Sequence, residues 1–254
     1  MADAGRGHHA ERVYATLNDA AAVGQSAVAA SWSRSALKYG LDPNRTGPPH
    51  RLSRPEFASA YDRLRPLIDR GQGTLDRLFQ AVGEAGCCVL LTDRDGVPLE
   101  RRGAPGDDVD FRNRGLWTGM NWSEASEGTN GVGTCLAECR PVTIYRDQHF
   151  LTRNIGLSCT VAPIWDERGR LIATLDVSTC RADLTPAILK LLATAVADAA
   201  RRIEAQHFRA AFPKARILVV PDGTAGPCGL LAVDRQDLVI GASRAARPAD
   251  GHCD

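Results

Sequence analysis

The sequence has no long apolar segment and almost no net charge. The chain has 254 residues, and its 31 basic and 30 acidic side chains leave a formal charge of +1. No apolar run reaches the roughly 18 residues that a membrane-spanning helix needs. The N-terminus also lacks the apolar core of a signal peptide. We therefore expect a cytoplasmic protein without membrane contact, and the charge argues against a dedicated nucleic-acid-binding chain.

Lysine and paired cysteine motifs are scarce as well. Of the basic residues, 28 are arginine, which we attribute to genomic composition rather than to phosphate-binding chemistry. The eight cysteines include no CxxC pair, so the common zinc motifs are absent. In a reducing cytosol the thiols should be free. We expect no metal and no other cofactor.

Two further motifs of chemistry and recognition are missing. The sequence contains no GxxxxGK[ST] phosphate-binding loop and no recognisable pair of DNA-reading helices. The chain is therefore expected neither to hydrolyse ATP nor to bind DNA directly. A Ser-His-Asp order with a nucleophile elbow is not seen either, and we expect no enzymatic activity.

The first 55 residues divide into a tail and a leader. Residues 1–25 are polar and Ala-rich with little periodicity, which predicts a disordered or frayed tail. A helix is predicted over 26–39, with Ser26 as its N-cap and Gly40 just past its end. Prolines then interrupt the chain repeatedly up to residue 55 and predict an extended linker. Residues 26–55 are therefore a leader helix and a Pro-rich linker.

Residues 56–210 are predicted to form the main domain. Helical spacing covers about 56–83, after which the pattern changes to that of strands. Strands are predicted at 87–93, at 97–102, at 141–145, at 157–166 and at 170–180. A long helix follows over 185–212, with Thr185 as its cap. This order predicts an α+β fold, in which an antiparallel sheet has helices packed behind it and long helices at both ends.

The last helix carries a narrow apolar stripe. Its members recur at intervals of three and four and are Leu189, Leu192, Val196, Ala199 and Ile203. Such a stripe favours a helix–helix seam in a homodimer, and the alternative is packing within its own domain. Residues 213–254 contain one more strand pattern and a hairpin. They are too few to bury a core, so we expect an incomplete second unit.

A Gly-rich block over 115–145 is the most distinctive stretch. Trp117 and Trp122 flank it, and Thr129, Asn130 and Thr134 place hydroxyl and amide groups among glycines. Glycines allow close approach of a backbone, and aromatic walls with few polar groups are typical of small-molecule pockets. The alternative is a helix–helix junction with glycines for packing and tryptophans in the core.

Several motifs in order resemble one family. They are SWSRSALKYGLDP at 31–43, LLTDRDG at 90–96, GLWTGMNWSEASEGTNGVGT at 115–134, HF at 149–150 and GLSCTVAPIWDERGRLIATLDVS at 156–178. Together they resemble the N-terminal sensory region of acetoin-catabolism regulators, which are bacterial activators of the sigma-54-dependent class. The resemblance implies a GAF domain with a ligand pocket between its sheet and its insert helices, and a PAS-like character for 213–254.

The resemblance also implies a function. We expect a non-enzymatic sensor of an unidentified small-molecule effector, acting through its terminal helices and through a homodimer or a regulatory protein partner. Ligand binding is expected to reposition the helix over 185–212. The expected ligand-binding residues are Trp117, Trp122, Thr129, Asn130, Thr134, His149 and Cys159.

Two alternatives from other classes stay open. The chain could be a structural dimerisation module without a ligand. It could also be a thiol-based redox enzyme, similar to the GAF-fold methionine sulfoxide reductases, that uses Cys135, Cys139 or Cys159. A catalytic thiol needs a lowered pKa, whereas a buried cysteine is usually an inert apolar side chain.

Overall fold

The computed structural model describes residues 2–221 and 228–247 of the chain and is built around a five-stranded sheet. The strands are β1 (Cys87–Asp93), β2 (Pro98–Arg102), β3 (Val142–Tyr145), β4 (Ser158–Trp165) and β5 (Leu171–Thr179). Every neighbouring pair is antiparallel, in the order β2-β1-β5-β4-β3. The α+β fold and its antiparallel sheet are confirmed, and each strand lies within two residues of its predicted bounds.

Both faces of the sheet are covered, and β1 shows how the sequence achieves this. Cys87, Val89 and Leu91 point to one face, while Cys88 and Leu90 point to the other, because side chains alternate along a strand. All of them are buried. The first set belongs to a core shared with the long helices, and the second set to a core shared with the Gly-rich block.

The long helices α4 (Arg54–Val82) and α8 (Pro186–Ala211) pack behind the sheet, as predicted. The Ser53 hydroxyl and the Glu56 carboxylate cap α4 reciprocally, so this helix begins slightly before the expected residue. The Thr185 hydroxyl caps α8, as the sequence indicated. No helix of the described residues combines the length and the hydropathy needed to cross a bilayer.

The apolar stripe of α8 is covered within the chain. Leu189, Val196, Ala199 and Ile203 are all buried. A Cβ added to Gly71 of α4 would lie 3.6 Å from the Ile203 side chain, so the two helices are in close contact. The interpretation of this stripe as a dimer seam is therefore wrong, because the stripe faces α4 and the sheet. A homodimer remains a prediction without this support.

Three short helices cover the second face of the sheet. They are α5 (Asp108–Asn113), α6 (Glu124–Glu127) and α7 (Gly131–Glu138). The last two are separated by Gly128, which ends α6 with a positive φ of 63°. The segment before α6 is mostly polar in sequence, yet Phe111 is buried and holds α5 in the core.

The N-terminal region is helical and partly packed. Its helices are α1 (Ala2–Leu17), α2 (Ala20–Gln25) and α3 (Ala27–Ser33). The segment expected to be a disordered tail or a frayed helix is helical over most of residues 2–25, and it is held at Val13, which is buried in a cluster with Trp32, Phe150 and Leu151. One apolar side chain per turn in an Ala-rich segment is a weak sequence signal for a packed helix. The tertiary contact of Val13 stabilises the helix instead.

The leader follows its prediction more closely. The Ser26 side chain accepts a hydrogen bond from the Ala29 N–H at 3.3 Å and caps α3. The helix continues as a π-helical turn over Arg34–Lys38, and Gly40 then adopts a left-handed conformation with φ +64°. The linker up to Ser53 is free of helix, in agreement with its prolines.

A second, three-stranded sheet follows α8. It consists of β6 (Arg216–Val220), β7 (Gly229–Val233) and β8 (Val239–Ala242), in that order. Phe208 of α8 packs against Leu230 and Ala232 of this sheet, so the small sheet shares its core with the long helix. Residues 222–227 and 248–254 of the expected second unit lie outside the described residues.

Candidate functional site

A buried polar network joins the leader to the Gly-rich block. Its centre is the Glu124 carboxylate, which is almost fully buried. It accepts hydrogen bonds from the Ser31 hydroxyl, from the Thr134 hydroxyl at 3.2 Å, and from Nε and Nη2 of Arg34 at 2.8 and 3.0 Å. A buried carboxylate needs such partners, so this network ties α3 to α6 and α7.

The two threonines of the expected site belong to this network. The Thr129 hydroxyl lies 2.7 Å from the Ser31 hydroxyl, and Thr134 bonds Glu124. The hydrogen bonds to Glu124 raise the pKa of Arg34, which also donates to Glu138 at 3.2 Å. Both threonines therefore act as links in a helix-to-helix contact.

Both polar atoms of the Asn130 side chain are hydrogen-bonded to backbone groups. Its Oδ1 accepts from the Gly133 N–H at 2.9 Å and so caps α7. Its amide donates to the carbonyl oxygens of Trp122 at 3.0 Å and Gly128 at 2.8 Å. For this residue the structure supports the alternative of a packed junction, because its amide and its Oδ1 are both engaged.

The two tryptophans do not face each other across a pocket. Trp122 is buried in the core, and its Nε1 donates to the Gly115 carbonyl at 2.8 Å. Trp117 lies between the guanidinium groups of Arg101 and Arg112, each 4.1 Å from its ring centre. Substituting Trp122 would therefore test folding before it tested any ligand.

His149 and Cys159 form a buried neutral pair. Nδ1 of His149 lies 2.8 Å from the Arg146 carbonyl, which can only accept, so Nδ1 carries the proton. Nε2 is then the acceptor, 3.6 Å from Sγ of Cys159. Burial lowers the pKa of His149 to about 4 and raises the pKa of the Cys159 thiol. The pair is therefore imidazole and thiol at neutral pH.

The other thiols show the same effect. Burial raises the pKa of Cys88 and of Cys135, which is the opposite of what a nucleophilic thiol requires. Cys139 is disulfide-bonded, so the expectation of a free thiol is wrong there. The described residues contain no group of three His, Cys, Asp or Glu side chains that could hold a metal ion. These observations disfavour the thiol-enzyme alternative.

Asp176 is a buried charge-bearing group that the sequence-based site did not include. It lies in β5 between Leu90 and Val161 of the neighbouring strands. Its Oδ2 accepts from the Ser178 hydroxyl at 2.7 Å, whereas Oδ1 has no hydrogen-bond partner. Burial raises the pKa of Asp176 to about 7, against the smaller effect of the Ser178 hydrogen bond. Buried acceptors normally have a hydrogen-bond donor, and Oδ1 of Asp176 lacks one.

The space above Asp176 is closed by α7. A Cβ built on Gly131 would lie 2.6 Å from Cβ of Cys159 and 3.7 Å from Oδ1 of Asp176. The first residue of α7 therefore rests directly on the sheet, at the point where the sequence predicted a pocket. An open cavity of about 670 Å³ lies elsewhere, between α8 and the small sheet.

A signal in the sequence could have identified the missed residues. Asp176 is the only charged residue of β5, and Glu124 lies among small residues and glycines. An acidic residue in such surroundings is costly to bury, so its presence points to a partner or a function. Arg34 is part of the quoted leader motif, yet its pairing with Glu124 requires the tertiary structure.

Replacement of Asp176 by Asn should stabilise the protein in a pH-dependent way. The folded-state pKa, about 7 against an ordinary 3.8, means that the wild-type chain loses stability as pH rises through this range. Between pH 5 and pH 8 the advantage of Asp176→Asn should grow by about 2–3 kcal/mol. Urea unfolding at both pH values measures it. Exposed Asp62→Asn is the control, and equal curves for both variants would contradict the assignment.

An antiparallel sheet with long helices behind it and short helices over its other face is the architecture of a sensory regulatory domain. Residues 66–203 match the GAF domain family, and the chain belongs to this family. The E. coli DhaR(N)–DhaL complex contains the same fold, with a TM-score of 0.64 at 23% identity over 73% of this chain and 62% of that one.

Curated relatives are transcriptional regulators. The chain is 34% identical over 221 residues to the acetoin catabolism regulatory protein of Cupriavidus necator, covering 85% of this chain and 33% of that protein. It is 31% identical over 175 residues to the acetoin dehydrogenase operon transcriptional activator AcoR of Bacillus subtilis, covering 69% and 29%. The chain thus spans about a third of the length of these relatives, and it is similar to their sensory regions.

Proposed function

We propose that the chain senses a small molecule in the layer between the sheet and α7. The observation that carries this proposal is the unpartnered Oδ1 of Asp176. A ligand hydroxyl placed there would supply the missing hydrogen bond, and it would do so out of water, where such a bond is strong. The remaining surroundings, which include Cys88, Cys135 and Cys159, are apolar or weakly polar.

These surroundings favour a small, neutral, hydroxylated compound. An anion would meet the Asp176 carboxylate, and a large ligand would have to displace much of α7. Curated relatives are named for acetoin catabolism, for a dihydroxyacetone kinase operon and for glycerol metabolism, and each of these names refers to a compound of this kind. The sensing role is regulatory and non-enzymatic.

Binding would be coupled to the leader through α7. The ligand needs the first turn of α7 to move away from Cys159. Thr134 of α7 is hydrogen-bonded to Glu124, which in turn accepts hydrogen bonds from Ser31 and Arg34. The movement of α7 would therefore weaken the hydrogen bonds that hold α3 in place. We therefore propose the leader as the output of the sensor. The helix over 185–212, which the sequence favoured, lies on the opposite face of the sheet.

The signal would pass to another polypeptide. The solved DhaR N-terminal region is in complex with DhaL, which supports a regulatory protein partner for this chain. A homodimer would serve the same purpose. Analytical ultracentrifugation with and without ligand would measure whether the ligand changes the proportion of homodimer.

Acetoin, dihydroxyacetone and glycerol are the probes that test ligand binding. At millimolar concentration at least one should raise the melting temperature by a few degrees, because a ligand that binds only the folded state stabilises it. Asp176→Asn should reduce this shift, because an amide oxygen is a weaker acceptor than a carboxylate, while it stabilises the unliganded protein, and Asp62→Asn should keep it. An unchanged shift in Asp176→Asn, or no shift with any of the three, would contradict the proposal.

A further inference from the structure

A second cavity lies at the junction of α8 and the small sheet, far from the proposed sensing layer. Its volume of about 670 Å³ is ordinary for a small-molecule site. Phe208 and Leu230 are buried and supply apolar walls, and Trp165 lies at the end of β4 on another side. The cavity can therefore hold the apolar body of a ligand.

Four arginines line this cavity, and one of them, Arg201, is paired with Asp198. Arg202 and Arg209 project from the face of α8 that lines it, and Arg244 follows β8. The Arg244 guanidinium stacks on the Trp165 ring at 3.8 Å, which fixes its position. Within the described part of the chain, none of the three forms an ion pair with a carboxylate. Three positive charges thus share one opening.

The carboxylates of the cavity wall are already engaged. Asp198 pairs with Arg201 on α8. Asp166 accepts from two backbone N–H groups of its own turn and from Arg170 at 2.8 Å. Glu204 accepts a backbone N–H of β4 at 2.9 Å, and burial raises its pKa to about 7 against the smaller effects of that hydrogen bond and of the Arg201 and Arg244 charges. Among the described residues, no carboxylate of the cavity wall pairs with Arg202 or Arg209.

We infer that this junction is a binding site for a small organic anion with an apolar body, such as a phosphate ester or a sulfonate. The anionic group would lie among Arg202, Arg209 and Arg244, and the apolar body would contact Phe208 and Leu230. One guanidinium group can donate two parallel hydrogen bonds to the oxygens of a phosphate or carboxylate group. Three guanidinium groups can therefore hold a dianion. Because the site joins α8 to the small sheet, an occupant would stiffen that junction.

Phenyl phosphate is a suitable probe, with phenol and inorganic phosphate as its separated halves. Isothermal titration calorimetry at low salt should show phenyl phosphate binding at least tenfold tighter than inorganic phosphate, and no binding of phenol. The double variant Arg202→Gln/Arg209→Gln should weaken phenyl phosphate binding at least tenfold. The matched control Arg65→Gln/Arg94→Gln removes the same charge from exposed positions elsewhere and should bind as the wild type does.

Several outcomes would overturn the inference. Equal loss in the two double variants would mean that net charge attracts the ester without a site. Equal affinity for inorganic phosphate and phenyl phosphate would mean that the apolar walls take no part. Absence of binding at millimolar ester would exclude the site. The sensing proposal is independent of each result, because its probes carry no charge and its test uses Asp176→Asn.

Discussion

Replacing Arg34 by Ala should destabilise the protein by about 3–5 kcal/mol, an effect typical of breaking a buried ion pair from one side. The Glu124 side chain is only 2% exposed, and it would keep the hydroxyl donors of Ser31 and Thr134 while losing its counter-charge. Hydroxyls cannot replace a bidentate guanidinium, so the carboxylate would remain uncompensated. Urea unfolding followed by circular dichroism would measure the loss.

A matched exposed arginine separates burial from charge. Arg65 pairs with Asp62 on the surface of α4, where both side chains are more than half exposed. Arg65→Ala should therefore change stability by less than about 1 kcal/mol. Equal losses for Arg34→Ala and Arg65→Ala would show that the pair of Arg34 with Glu124 has no special role.

A second variant separates the buried charge from lost packing. Arg34→Ala/Glu124→Gln should be more stable than Arg34→Ala alone, because the amide removes the uncompensated charge and still bonds the neighbouring hydroxyls. Hydrogen exchange over Ala27–Ser33 should be faster in Arg34→Ala than in the wild type, since α3 would then be tied to Glu124 of α6 only through the Ser31 hydroxyl. Unchanged exchange in α3 would contradict its coupling to the core.

Much of the fold could be predicted because strong local signals agree with the tertiary structure. The α8 helix has a cap at Thr185, a proline at its first position and a clear apolar stripe, and all three survive in the structure. The strands β4 and β5 are bounded by an unambiguous turn. The role of the stripe could not be predicted, because a pattern that contacts α4 is identical to one that contacts a second copy.

The candidate site was less accessible to prediction. Periodicity and glycine content located the layer of Thr129, Asn130 and Thr134, yet whether their polar atoms face a ligand or each other depends on α3, which lies far away in sequence. Val13 illustrates the same limit, since its burial needs Phe150. Contacts between residues that are far apart in the sequence decide both cases. Local sequence patterns do not reveal which residues make these contacts.

The glycine at position 133 is the point where the Gly-rich block tolerates least change, and Gly133→Ala should destabilise by about 3 kcal/mol. A Cβ there would overlap the Glu124 backbone nitrogen and would lie 2.8 Å from both the Ser123 carbonyl carbon and the Trp122 carbonyl oxygen. These are backbone atoms, and Asn130 holds the Trp122 carbonyl, so they cannot rotate away as a side chain could. Overpacking of this kind costs a few kcal/mol. Thermal and urea unfolding would measure the change.

Gly73 provides a control for which the expected change in stability has the opposite sign. It lies within α4, and a Cβ there would meet only the flexible Nη1 of Arg77 at 3.8 Å. Gly73→Ala should therefore stabilise by about 0.5–1 kcal/mol, because alanine restricts the unfolded chain and favours helix. If Gly133→Ala were neutral as well, α7 would have room to move off α6 without cost. The tight junction on which the proposed coupling from α7 to the leader depends would then be absent.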